Sequence, residues 1–136
     1  MTVNEATSGI DTRSVPTGRA AVVALWVIQI LLAAMFLMAG GSKLAGAPAM
    51  VELFKALGFG QWFRYVTGTV EATSAVLLLI PSWSAFGALL LVPTMIGAMA
   101  ANVSLGQSPA VPGVLMILAA VVAWMRRDQI RKAFSV

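Results

Sequence analysis

The sequence contains no cysteine and no histidine, and only 10% of its 136 residues are charged. Without these two residue types a chain forms no disulfide and no thiolate nucleophile. It also lacks the usual protein ligands of zinc, haem iron and iron–sulfur clusters. We therefore expect no metal site and no intrinsic cofactor in this chain.

Hydrophobic residues are abundant instead, at 60% of the chain. A soluble domain has roughly 25% charged residues, and a soluble chain of this length would not bury so much apolar surface. The length is enough for one domain. The composition therefore indicates a single integral membrane domain whose main solvent is the lipid bilayer.

Four apolar stretches are candidate membrane-spanning helices. The first is too long for an ordinary signal peptide and is followed by three more, so we expect it to be retained. The short turn at 81–84 makes the second and third stretches antiparallel neighbours. The predicted fold is an all-α, integral membrane four-helix bundle with spans at about 20–41, 62–80, 84–102 and 110–125.

A shorter amphipathic segment, 48–58, separates the first two spans. Pro48 favours the first turn of a helix, and Gly58 is a suitable residue for its C-terminal end. The segment is too short to cross a bilayer. We predict an interfacial or re-entrant helix over the mouth of the bundle, with one apolar face formed by Met50, Leu53, Phe54 and Leu57.

Basic residues indicate the orientation. Segment 1–18 is polar, without an apolar period, and is predicted to be a flexible arm; segment 127–136 is a basic tail. Six of the nine basic residues flank the spans on the side of the two termini, and Lys43, Lys55 and Arg64 lie on the other side. The majority predicts that both termini are cytoplasmic, and it explains the net charge without nucleic-acid binding.

Glu71 lies near the middle of the second predicted span. A charged side chain at that depth costs about 2.5–3.5 kcal/mol on insertion scales, so it is protonated or paired with a cation. Two interpretations stay open from the residues alone: a structural ion pair, or a functional group in a binding or proton-transfer site.

Four other polar residues complete the candidate site. Lys43 and Arg64 are the candidate cations for Glu71, although each could instead reach the lipid headgroups. Gln29 and Asn102 could line the same polar seam, or serve as a helix–helix hydrogen bond and a helix-end residue. The predicted ligand- or partner-binding set is therefore Lys43, Arg64, Glu71, Gln29 and Asn102.

Three short motifs give the chain a resemblance to a known family. They are Ala39-Gly40-Gly41-Ser42-Lys43-Leu44, the segment 54–62, and Gly68-Thr69-Val70-Glu71. In this order and spacing they resemble the DoxX/DoxD-like membrane proteins over about residues 20–125. One departure is Asn102, because related sequences often have a histidine near that point.

The resemblance implies a bacterial four-helix membrane bundle, in a family linked to sulfur and quinone redox chemistry. Our first hypothesis is an accessory subunit that binds a quinone-like or lipid-like ligand, or a partner protein, at the polar seam. The alternatives are a subunit of a quinone-linked oxidoreductase acting on sulfur compounds, and a small transporter. We expect a homo-oligomer or a larger membrane complex, and the transporter requires an oligomer.

Overall fold

The computed structural model describes residues 14–134, with side chains described from Gly18 onward. Within this range the chain forms six helices and no strand, which confirms the predicted all-α class. The helices are α1 (Ser14–Ala45), α2 (Pro48–Leu57), α3 (Gln61–Leu79), α4 (Ser84–Ser104), α5 (Ala110–Met125) and α6 (Arg127–Phe134).

Most helix limits agree with the apolar pattern, but α1 extends beyond it at both ends. Helix α1 begins at Ser14, inside segment 1–18 that was predicted to be a flexible arm, and it continues to Ala45. Residues 1–13 lie outside the described residues. Once a helix is nucleated, each added residue gains a backbone hydrogen bond whether or not it is apolar, so an apolar run underestimates helix length.

The segment predicted as a tail, 127–136, is largely helical in the structure. Helix α6 occupies Arg127–Phe134 and is bent by 55° relative to α5. The side chain of Gln129 holds it in place by accepting a hydrogen bond from the backbone N–H of Ala85 at 2.9 Å. This contact joins residues 44 positions apart, so local composition gives no sign of it.

Length and apolar character identify two helices that can cross a membrane, Gly18–Ala45 and Ser84–Ser104. A third crossing is obtained if α5 and the bent α6 together form one span. Helix α5 alone has 16 residues, fewer than the roughly 20 that a bilayer core requires. Helix α3 carries Arg64 and Glu71 among several hydroxyl residues, which lower its mean hydropathy. The four-span topology therefore stays a prediction.

The long helices pack against one another in chain order. Helix α1 lies against α3, α3 against α4, and α4 against α5, while α5 also contacts α1. The short helix α2 packs on α3, and it ends at Gly58, whose φ of 80° is left-handed. The core between the long helices is apolar, with Leu25, Leu32, Phe36, Leu78, Leu91, Met95 and Val122 among its buried residues.

Candidate functional site

Two glycines bring α1 and α3 into close contact. A Cβ atom placed on Gly40 would lie 2.8 Å from the carbonyl oxygen of Gly68, and one placed on Gly68 would lie 3.0 Å from the Cβ of Lys43. Small residues allow helix backbones to approach this closely inside a membrane. Both glycines belong to the short motifs of the sequence, so these motifs mark the crossing point of the two helices.

The two motifs at this crossing each contain one member of an ion pair. Lys43 lies three residues after Gly40, and Glu71 lies three residues after Gly68. The Nζ atom of Lys43 donates a hydrogen bond to Oε2 of Glu71 at 3.1 Å, with side chains that are 12% and 4% exposed. A pair this buried depends on both members, because removal of one leaves an uncompensated charge.

Arg64 is buried beside this pair but is bound by other groups. Its Nη1 donates to the backbone carbonyl of Lys43, and its Nε donates to Oε1 of Gln61 at 2.7 Å. The guanidinium group also lies over the ring of Tyr65, 4.3 Å from its centroid. Arg64 therefore ties the C-terminal end of α1 to the first turns of α3, and Lys43 is the cation that faces Glu71.

A cavity of about 480 Å³ lies next to the ion pair. Helices α2, α3 and α4 form its walls, and Lys43 contributes from α1. Protein sites for small ligands have volumes of about 300–1,000 Å³, with mainly apolar walls and few polar groups. The apolar part of the wall comprises Met50, Leu53, Phe54, Leu57, Phe63, Val66, Val70, Pro93, Gly97, Ala98 and Ala101.

The remaining polar wall groups are Thr67, Thr94 and Asn102. Both threonine hydroxyls donate to carbonyls of their own helices, Thr67 to Phe63 at 2.9 Å and Thr94 to Leu90 at 2.8 Å. Their oxygens keep lone pairs that can accept hydrogen bonds. Asn102 donates from Nδ2 to the carbonyl of Ser108 at 2.8 Å. A ligand in the cavity would thus meet one ammonium donor and several oxygen acceptors.

Gln29, in contrast, lies away from the cavity. It is fully buried, and its Nε2 donates to the carbonyl of Leu78 at 2.8 Å while its Oε1 accepts from Nε of Arg126 at 3.1 Å. The Nη2 atom of Arg126 is buried without a hydrogen-bond partner among the described residues. Gln29 thus links α1 to α3 and to the end of α5, near the opposite end of the helices from Lys43.

The structure therefore divides the five predicted residues. Lys43, Glu71 and Asn102 line one cavity. Arg64 does not line it but binds the backbone carbonyl of Lys43. Gln29 joins helices near the other end of the bundle. Sequence reasoning did not include the apolar wall, although the i, i+3, i+4, i+7 face of α2 was a signal for it. Pro93 and Gly97 also line the cavity, and their position on the wall depends on how α4 lies against α3.

Residues 27–125 match the model of the DoxX-like family. The chain belongs to the DoxX-like family. The matched range contains both motifs of the α1–α3 crossing and all five predicted site residues, and it ends before α6. Together with the apolar helices, membership indicates a membrane protein of DoxX-like type. No curated protein and no solved structure matches the chain.

Proposed function

We propose that this DoxX-like protein binds a quinone-like or lipid-like ligand in the cavity beside Lys43 and Glu71, as an accessory subunit of a membrane complex. The observation that carries the proposal is an apolar cavity with a buried ion pair in its wall. A simple packing defect would not require charged side chains, and a charged side chain inside a membrane costs free energy. The ion pair in the wall therefore favours a binding role for the cavity.

The proposal includes the membrane arrangement expected from the sequence. The long helices α1, α3, α4 and α5 cross the bacterial cytoplasmic membrane as a four-helix bundle, with both termini on the cytoplasmic side. Helix α2 lies at the opposite surface, where its apolar face covers the cavity. Helix α3 crosses despite its polar residues, because Arg64, Glu71 and Ser74 are buried against neighbouring helices.

The wall chemistry favours a ligand with a small oxygen-bearing head and an apolar body. The ammonium group of Lys43 has three donors, one of which binds Glu71, so a carbonyl oxygen can accept from another. A hydroxyl group can donate to the second carboxylate oxygen of Glu71. Quinones, quinols and neutral lipids offer these groups on an otherwise apolar molecule.

Ligand retention tests the proposal directly. The protein is purified in mild detergent, and the small molecules that remain bound are identified by mass spectrometry. A quinone or a neutral lipid at a fixed ratio to protein is expected. Its loss in the cavity-filling variant Gly97→Leu, with retention in Gly41→Leu, would support the cavity as the site, since an added Cβ meets nothing within 4 Å at either glycine and only Gly97 lines the cavity.

The charged residues allow a second, matched comparison. Lys43→Met combined with Glu71→Gln removes both charges together, and Lys55→Met combined with Glu52→Gln makes the same changes on exposed α2 residues outside the cavity wall. Binding should weaken only in the first pair. Unchanged retention in both that pair and Gly97→Leu would contradict the proposal.

A quinone-linked oxidoreductase subunit is the second candidate, favoured by the carboxylate of Glu71 in the cavity wall. A sulfur compound would supply two electrons through a redox group on another chain, and a quinone in the cavity would take them up together with two protons, at least one of them relayed by Glu71. Quinone reduction by the complex with a sulfur compound as electron donor, abolished by Glu71→Gln but not by Glu52→Gln, is the expected result. Activity that persists in Glu71→Gln would exclude this role.

A further inference from the structure

The end of the molecule farthest from the cavity carries a dense group of positive charges. Four basic residues occur among the seven residues 126–132, where Asp128 is the single acidic residue. Asp128 makes an exposed contact of 3.6 Å with Arg131. This end therefore retains a net positive charge of +3 from residues 126–132 (four basic minus one acidic).

Helix α6 is fixed across this end by hydrogen bonds from one side chain. Oε1 of Gln129 accepts from the backbone N–H of Ala85 at 2.9 Å and from Oγ of Ser84 at 3.3 Å, and its Nε2 donates to the carbonyl of Pro81. Together with the 55° bend after α5, these bonds hold α6 against the α3–α4 turn. Its charges therefore have a defined place on the protein.

A groove of about 570 Å³ lies between α6 and the α3–α4 turn. We call it the basic groove, and it is lined by Pro81, Ser82, Trp83, Phe86, Gln129, Lys132 and Ala133. Trp83 is half exposed and packs on Phe86 with ring centroids 5.3 Å apart. The groove thus combines a lysine, a hydroxyl group and an aromatic pair, and the exposed Arg131 lies on the same helix.

Aromatic rings next to basic residues are typical of the level at which lipid headgroups lie. Elsewhere at this end, the guanidinium of Arg127 lies 4.4 Å from the ring centroid of Trp124, and that of Arg126 lies 5.3 Å from that of Trp26. Clustered Lys and Arg residues beside a membrane helix attract anionic lipids. Positive charge, aromatic rings and the groove therefore coincide at one end of the molecule.

We propose that the basic groove binds the headgroup of an anionic phospholipid, with its phosphate near Lys132 and Arg131 and its glycerol region against Trp83 and Phe86. The negative charge of the lipid complements the charge of this end, which a zwitterionic lipid cannot do to the same extent. The site is separate from the cavity at Lys43 and Glu71, so either proposal can fail without the other.

The test measures lipid preference of the full-length protein in detergent mixed with equal amounts of dioleoyl phosphatidylglycerol and dioleoyl phosphatidylcholine. Native mass spectrometry gives the ratio of the two bound lipids. We expect phosphatidylglycerol to be preferred, and the preference to fall about fivefold for each of Arg131→Gln and Lys132→Gln. Lys55→Gln, an exposed lysine on α2 at the opposite end, is the matched control and should leave the ratio unchanged.

A third variant separates a formed groove from charge alone. Gln129→Leu keeps every charge and removes the hydrogen bonds that hold α6 to the α3–α4 turn, so it should also lower the preference. Equal binding of the two lipids by the original protein would overturn the proposal, as would an equal loss in Lys55→Gln. If Gln129→Leu kept the full preference for phosphatidylglycerol, the groove would not be the binding site, and a diffuse attraction by the basic residues would explain the preference.

Discussion

At the scale of single residues, the buried carboxyl group of Glu71 requires a cation nearby. The sequence offers two candidates, Lys43 and Arg64. The structure pairs Glu71 with Lys43, 28 positions away, whereas Arg64 binds the carbonyl of Lys43 and the side chain of Gln61. A long side chain can reach several partners from one position. The packing of α1 against α3 therefore determines which cation pairs with Glu71.

A double-mutant cycle on this pair tests whether its members depend on each other. Lys43→Met or Glu71→Gln alone leaves one buried partner unmatched and should destabilise the protein by about 3–5 kcal/mol. The combined variant should be less destabilised than the sum of the two. The free energy of unfolding in mixed detergent micelles measures this, and additive effects would mean that the pair contributes no coupling.

Gln29 offers a second prediction at this scale. Gln29→Leu removes a donor to the carbonyl of Leu78 and an acceptor for Arg126, and buried polar groups left unpaired cost about 1–3 kcal/mol each. Thermal unfolding in detergent should therefore occur at a lower temperature. Gln107→Leu, at an exposed loop position, is the control, and similar unfolding temperatures for both variants would show that the buried amide is dispensable.

At the scale of helices, apolar runs located all four long helices, and Pro48 with Gly58 located α2. The limits failed where helix formation does not depend on apolar character, as in the first turn of α1 and throughout α6. The motifs contain the glycines of the α1–α3 contact, but the atoms that each glycine meets depend on how the two helices cross. Gly40 lies against Gly68 and Ala72, while its neighbour Gly41 faces open space.

This difference between adjacent glycines predicts opposite outcomes for one substitution. An added Cβ at Gly40 would lie 2.8 Å from the carbonyl oxygen of Gly68 and 2.9 Å from the backbone nitrogen of Ala72. Gly40→Ala should cost about 1–3 kcal/mol of unfolding free energy through overpacking. Gly41→Ala should cost nothing, because the added Cβ would meet no atom of another helix within 4 Å in the described part of the chain. Equal stabilities of the two variants would contradict the observed α1–α3 crossing.

At the scale of the whole molecule, the distribution of charge and the length of the helices give different numbers of membrane crossings. Charge predicts both termini on one side after four crossings, whereas length and hydropathy identify two or three crossing helices. Four crossings place the α3–α4 turn on the side of the termini, and α2 and the α4–α5 loop on the other side. With three crossings the termini would lie on opposite sides.

The absence of native cysteine makes this question accessible to labelling. Single cysteines at Ser8, Ser82, Ala56 and Gln107 are treated in intact cells with a maleimide that does not cross the membrane. We expect labelling of Ala56→Cys and Gln107→Cys, and labelling of Ser8→Cys and Ser82→Cys only after the cells are opened. Labelling of Ser8→Cys or Ser82→Cys in intact cells would contradict four spans with cytoplasmic termini.

The sequence by itself determined the helical class, the membrane character, the position of each long helix and the need of Glu71 for a partner. These follow from composition and local periodicity, which act on neighbouring residues. Only the tertiary structure decided that Lys43 is the partner, that Asn102 shares its cavity while Gln29 does not, and that α6 folds back across the α3–α4 turn. Each of these depends on contacts between residues far apart in the chain, which local composition does not encode.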